Sequence, residues 1–214
     1  MTRLAVSVEG QTEEEFVKNV LADHLRGCHV DATPILVGRV RGKTGGGNVS
    51  VRRLASDMAR LFGSFDCVTS LVDFYGFAGK GDSSPDQLEV RIHDAVCARL
   101  TGTWDQTRVF PYVQKHEFEG LLFSNVEVFE LSFDLPEQSV RELRRIREAF
   151  PTPEDINDNT TTAPSKRIAR IVPYYDKVVS GSVLAMDTGL DVIRDACPRF
   201  GDWLDRLESL GITN

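Results

Sequence analysis

Four short apolar runs separated by stretches of helical periodicity occupy the first 125 positions, and that alternation constrains the fold more than any other feature of the chain. LAVSV at 4–8, TPILVGRV at 33–40, CVTSLVD at 67–73 and RVFPYVQ at 108–114 read as strands, because they are brief and rich in β-branched residues. Between the first two, Phe16, Val17, Val20, Leu21 and Leu25 recur at helical spacing until Gly27. Thr12, with Glu15 three positions on, predicts a capping box at the start of that helix. Val51, Leu54, Ala55, Met58, Ala59 and Phe62 mark a second helix, and a third runs from about Pro85 to Leu100. Such alternation predicts a mainly parallel sheet with helices on both faces, joined by right-handed crossovers. The remainder contains EQSVRELRRIREAF and helical stretches near 165–172 and 187–210 but no clear strand. The expected division is therefore an α/β core over 1–125 and a helical C-terminal extension over 126–214, packed on the core.

Bulk properties narrow the function classes. No segment of the 214 residues approaches the ~18 consecutive apolar positions of a membrane helix, and no secretory pattern opens the chain. A cytoplasmic protein without membrane contact is expected. The formal charge is −7, from 25 Lys plus Arg against 32 Asp plus Glu. This argues against coating of nucleic acid by the whole surface, so phosphate contact is expected to be local or metal-mediated. Cys28, Cys67, Cys97 and Cys197 form no CxxC pair and read as reduced structural thiols. His24 and Cys28 share a helix face, but two ligands without further partners do not define a zinc site.

The acids carry more information. In open α/β sheets ligands bind outside the carboxyl ends of the strands. Glu9 ends the first strand, Asp73 ends the third, and Glu117 and Glu119 follow the fourth. Glu13 lies in the first turn of the helix beside Glu9. Acids in a first helical turn are explained by the helix dipole alone, which accounts for Glu14 and Glu15 but not for Glu9 or Asp73. Carboxylates gathered at one edge repel, by about 4 kcal/mol for a pair at ~4 Å and an effective dielectric near 20. Oxygen-only ligands of that charge suit Mg²⁺ or Mn²⁺.

Five segments in order, VEGQTEEEF, VDFYG, HEFEGLLFS, TPEDIN and APSKRI, resemble the bacterial family called domain of unknown function 4276. VEGQTE also resembles the first motif of the Toprim-type fold shared by topoisomerases, primases and the overcoming-lysogenization-defect nucleases. The resemblance implies a Toprim-like (Rossmann-like) fold, a neighbouring ATPase of the ABC or SMC-like class, and a role in phage defence. It also implies that the Toprim glutamates correspond to Glu9 and Glu13, and the first acid of the DxD motif to Asp73. The second acid position is Tyr75, which cannot replace a low-pKa carboxylate. Either Glu117 or Glu119 completes the site, or the second metal is lost.

Among the bases, RGKTGGGN contains GKT without the glycine spacing of a phosphate-binding loop, so Arg41 and Lys43 are expected only to touch a nucleic-acid backbone. Lys166 and Arg167, in APSKRI, follow a loop into a helix start where cations oppose the dipole. An anionic partner is expected there, with Lys166 set against developing phosphoryl charge and Arg167 binding substrate. The expected function is a metal-dependent nuclease acting on DNA or RNA, in which Glu9 and Asp73 serve both catalysis and metal binding. The alternative is a non-catalytic Toprim-like adaptor or sensor docked on an ABC/SMC-like ATPase. Homo-oligomerisation is left open.

Overall fold

The structure is a computed structural model that describes residues 1–38, 49–157 and 161–212. Its centre is a parallel sheet built from β1 (Thr2–Val8), β2 (Val30–Leu36), β3 (Cys67–Asp73), β4 (Val109–Phe110) and β5 (Val113–Gln114). The order is β2-β1-β3-β4, with β5 also paired to β3. Every pairing is parallel. Parallel strands need crossover connections, and α1 (Gln11–Phe16), α2 (Ala22–Gly27), α3 (Val51–Phe62) and α4 (Pro85–Cys97) lie within them.

Side-chain alternation along the strands splits the interior into two layers. Leu4, Val6, Val8 and Leu71 join one core, whereas Ala5, Val68 and Val72 join the other. The second layer is closed by α3 and α4 through Leu54, Met58, Leu88 and Ile92. The first contains Phe16 and Leu21 of the N-terminal helical run, and also Leu143, Ile168, Leu184, Phe200 and Leu204. Helices thus cover both faces, as the alternation predicts. The helices beyond residue 126, α5 (Glu127–Phe133), α6 (Glu137–Glu148), α7 (Pro164–Ile171), α8 (Lys177–Thr188), α9 (Leu190–Ala196) and α10 (Pro198–Ser209), share the core of β1.

Local departures from the sequence reading have physical causes. The expected single strand at 108–114 is broken at Pro111, which has no N–H for the ladder. Ser70 fills the break, its hydroxyl donating to the Tyr112 carbonyl at 3.0 Å and accepting the Tyr112 N–H at 3.1 Å. The expected capping box at Thr12 and Glu15 is shifted: Gly10 is the N-cap, and Glu13 reaches back to accept the Gly10 N–H at 2.9 Å. Glu15 instead accepts from Lys18 and Asn19, each at 3.1 Å. A π turn at Val17–Leu21 separates α1 from α2.

Candidate metal centre

Parallel pairing of β1 with β3 sets their carboxyl ends side by side, and the acids there are linked motif to motif. Glu9 Oε2 accepts the Asp73 N–H at 3.3 Å. Asp73 Oδ1 accepts the Phe118 N–H at 2.9 Å, and Glu117 Oε2 accepts the Ser165 N–H at 3.1 Å. Gly120 lies so close to the 153–155 turn that an added Cβ would stand 3.1 Å from the Pro153 carbonyl oxygen. VEGQTE, VDFYG, HEFEG, TPED and APSK therefore meet in one place. The residues 118–124 between them form a 3₁₀ run anchored by Phe118, whose ring packs 5.0 Å from that of Phe16. Burying such a ring contributes about 1.5–3 kcal/mol, which holds the turn that donates to Asp73.

Electrostatics define the group more sharply than contacts do. Glu119 is fully buried, and Lys177 Nζ stands 3.0 Å from its Oε1. Neither Glu119 oxygen has an aligned hydrogen-bond donor among the described residues. Burial pushes the Glu119 carboxyl up to about 7 although Lys177 pulls it down. Asp73 is held well above the usual carboxylate range, by burial first and then by Glu13 and Glu119. Burial also raises Glu13 and Glu9, against the opposing pull of Lys177 on both. Burial alone would lower Lys177, but Glu119, Asp73 and Glu13 outweigh it and raise the ammonium. Glu9, Glu13, Asp73 and Glu119 thus sense a common cation and one another. Glu117 lies beside them, with one oxygen committed to the start of α7.

The sequence reading did not single out Lys177 or Tyr175. Lys177 is the first residue of α8, behind Asp176, which caps the helix by accepting from the Val178 and Val179 N–H groups. A cation at a helix start was the signal followed to Lys166, and it applies equally to Lys177. Gly181 allows the approach of α8 to α1, since an added Cβ would stand 3.2 Å from Thr12 Cγ2 and 3.5 Å from Phe118 Cε1. The Tyr175 hydroxyl is buried without a hydrogen-bond partner among the described residues. Burial, then Glu119 and Glu117, push its phenol up.

The candidate bases lie elsewhere. Lys166 is exposed on the first turn of α7, and the backbone N–H neighbouring it is the one Glu117 holds. Arg167 donates to the Thr162 carbonyl at 2.5 Å and stacks 5.5 Å from the Phe150 ring. Arg41 and Lys43 lie outside the described residues. In the DxD-like segment Tyr75 is half-buried, its N–H donating to the His116 carbonyl at 2.9 Å. Lys80 braces this turn, its Nζ donating to the carbonyls of Phe74 and Tyr75 at 2.7 Å each. His116 has φ 66° and a ring Nδ1 3.2 Å from Asn157 Nδ2.

These features define a parallel α/β protein with a carboxylate cluster at the carboxyl edge of its sheet. The chain belongs to the family described as Domain of unknown function (DUF4276), which it matches over residues 8–208. Two solved structures of the C-terminal region of the Xanthomonas campestris pv. campestris OLD protein, one phased with iodine and one with mercury, are similar to it. They are 16% identical, with TM-scores of 0.46 and 0.49, and the alignment covers 99% of this chain and 97% of each of theirs. No curated protein matches. No helix among the described residues is long and apolar enough to cross a membrane.

Proposed function

We propose that the chain is a Toprim-like, metal-dependent nuclease that hydrolyses phosphodiesters of DNA or RNA. The observation that carries this reading is Glu119, a fully buried carboxylate 3.0 Å from the Lys177 ammonium and still raised by its burial, set among three other raised acids. Four carboxylates that resist ionisation together repel unless neutralised, and oxygen-only ligands of that charge suit a hard divalent cation; their oxygens would have to close in on the ion, since among the described residues no three of them converge within 4.8 Å. Glu9, Glu13, Asp73 and Glu119, with the other oxygen of Glu117, would hold Mg²⁺ or Mn²⁺. When bound, the ion supplies Lewis acidity and a water of lowered pKa.

The chain's own groups supply the rest. Lys177 sets a fixed positive charge against the cluster and would oppose charge developing on a phosphoryl group. Lys166 and Arg167, at the start of α7 beside Glu117, would bind the phosphate backbone at the rim; Arg41 and Lys43, outside the described residues, are the further bases assigned to substrate on their charge alone. The wider reading is a cytoplasmic defence protein that works with an ABC/SMC-like ATPase. Incubation with linear DNA and RNA in Mn²⁺ tests the core of it: cleavage that disappears in EDTA and in Glu9→Gln is expected. Uncut substrates, or equal cutting by Glu9→Gln, would sink it.

A second reading, the non-catalytic adaptor, is favoured by the structural bonds of the acids. Glu13 caps Gly10, Asp73 anchors Phe118 and Glu117 caps α7. On that reading Lys177 neutralises the cluster permanently, and divalent cations leave the protein unchanged.

A further inference from the structure

A second cluster stands apart from the acids, where the two ends of the chain meet. His24 lies in α2, and Cys28 follows its last residue, so their side chains share a helix face at i and i+4. Sequence alone offers only these two ligands. The structure adds Glu208, from the last turn of α10. One ligand atom each from His24, Cys28 and Glu208 lie within 4.8 Å of one another. We propose that these three residues form a binding site for a thiophilic divalent cation of the zinc type, independent of the acid cluster.

The donor chemistry distinguishes the two places. Imidazole nitrogen, thiolate sulfur and one carboxylate oxygen suit zinc or cobalt, whereas the sheet-edge cluster offers oxygen alone. Distances are compatible as well. Ligand atoms around a tetrahedral zinc stand roughly 3.3–3.7 Å apart, given bonds of about 2.0–2.3 Å. The His24 Nε2 to Glu208 Oε1 separation of 2.6 Å and the 4.8 Å limit bracket that span. Small rotations of half-buried side chains close the difference.

Arg194 is the competing cation, since its guanidinium also contacts Glu208 Oε1. It has other acids to fall back on. Arg194 Nε is 3.4 Å from Asp205, Nη1 is 4.0 Å from Asp191, and both aspartates are exposed. An arriving ion can therefore take Glu208 without stranding the guanidinium. Three protein ligands leave the remaining position to solvent, so the site is open to exchange.

Its position gives the ion a role in holding α2 and β1 to α10. Next to Cys28, His29 adopts φ 60° and its carbonyl accepts the Thr2 N–H at 2.9 Å. The Thr2 hydroxyl donates to the Leu210 carbonyl at 3.0 Å. An ion across α2 and α10 would clamp the first crossover to the last helix, and binding only the folded state stabilises it by mass action.

Cobalt provides a direct test, because a thiolate bound to Co²⁺ gives a charge-transfer band in the near ultraviolet that oxygen ligands do not. The EDTA-stripped chain titrated with Co²⁺ should develop this band to one equivalent and lose it on adding Zn²⁺. Asp73→Asn should retain it, which separates this site from the acid cluster. Cys97→Ser should also retain it, although Cys97 Sγ lies 3.6 Å from the His93 ring nitrogens. Cys28→Ser should lose it, and Glu208→Gln should weaken cobalt binding at least tenfold. A wild-type chain without the band, a band that survives Cys28→Ser, or one that vanishes in Cys97→Ser would overturn the proposal. Should Cys28→Ser fail to fold, alkylation of the wild-type chain decides: Zn²⁺ must slow labelling of Cys28 relative to Cys97, and equal rates refute it.

Discussion

Replacing Glu119 by Gln isolates the proton linkage of the cluster. Glu119 is fully buried, and its carboxyl is raised from the ordinary 4.5 to about 7, by burial against the opposing pull of Lys177. A raised acid favours the folded state while protonated. Its contribution is complete below the unfolded pKa and is lost as pH rises through the folded one. At about 1.4 kcal/mol per pH unit over that interval, Glu119 should remove about 3–4 kcal/mol of stability between roughly pH 4.5 and 7. Gln carries no proton to lose. Urea unfolding of the metal-free chain across this window should therefore show a smaller fall for Glu119→Gln than for wild type, by about 3–4 kcal/mol. The comparison is between slopes, so a constant cost of stranding Lys177 cancels. Millimolar Mn²⁺ should flatten the wild-type fall, because a bound cation holds the ionised form. Identical pH slopes for both chains would refute the assignment of a perturbed carboxyl to Glu119.

Mn²⁺ should raise the melting temperature, with calorimetry giving one tight Mn²⁺ because Tyr75 stands at the second acid position; Asp73→Asn should abolish the Mn²⁺ shift. The two lysines should separate kinetically. Lys177→Met should lower kcat about a hundredfold, as loss of one transition-state donor does, whereas Lys166→Met should leave the melting temperature unchanged and act mainly on KM. Gly181→Val should lower stability by about 1–3 kcal/mol through overpacking and should also reduce Mn²⁺ affinity, because it moves α8 and Lys177 away from α1.

The strand–helix alternation was legible because the central strands are buried on both faces and read as short runs of apolar, β-branched and small residues with no charge before the strand end. β3 is the plainest case, expected and found at Cys67–Asp73. Edge elements were harder. β2 begins earlier than its apolar run suggests, at Val30, and its later residues are only half-buried. β4 and β5 are separated at Pro111, which a hydrophobic pattern does not register. For the candidate site, the strand-end rule brought forward Glu9 and Asp73 because a parallel sheet carries strand ends to one edge by construction. Lys177 was not legible in this way. Its pairing with Glu119 depends on how α8 packs, through Gly181, against α1 and Phe118. The same limit applies to Glu208, which reaches His24 only because the last helix returns to the first.

The acids at the sheet edge are the proposed divalent-cation site, and anomalous scattering from crystals soaked in Mn²⁺ tests this most directly. A manganese peak within coordinating distance of Glu9 and Asp73, absent from Asp73→Asn crystals, is the predicted result. Crystals with no anomalous density at that edge, and with Lys177 still paired to Glu119, would contradict it.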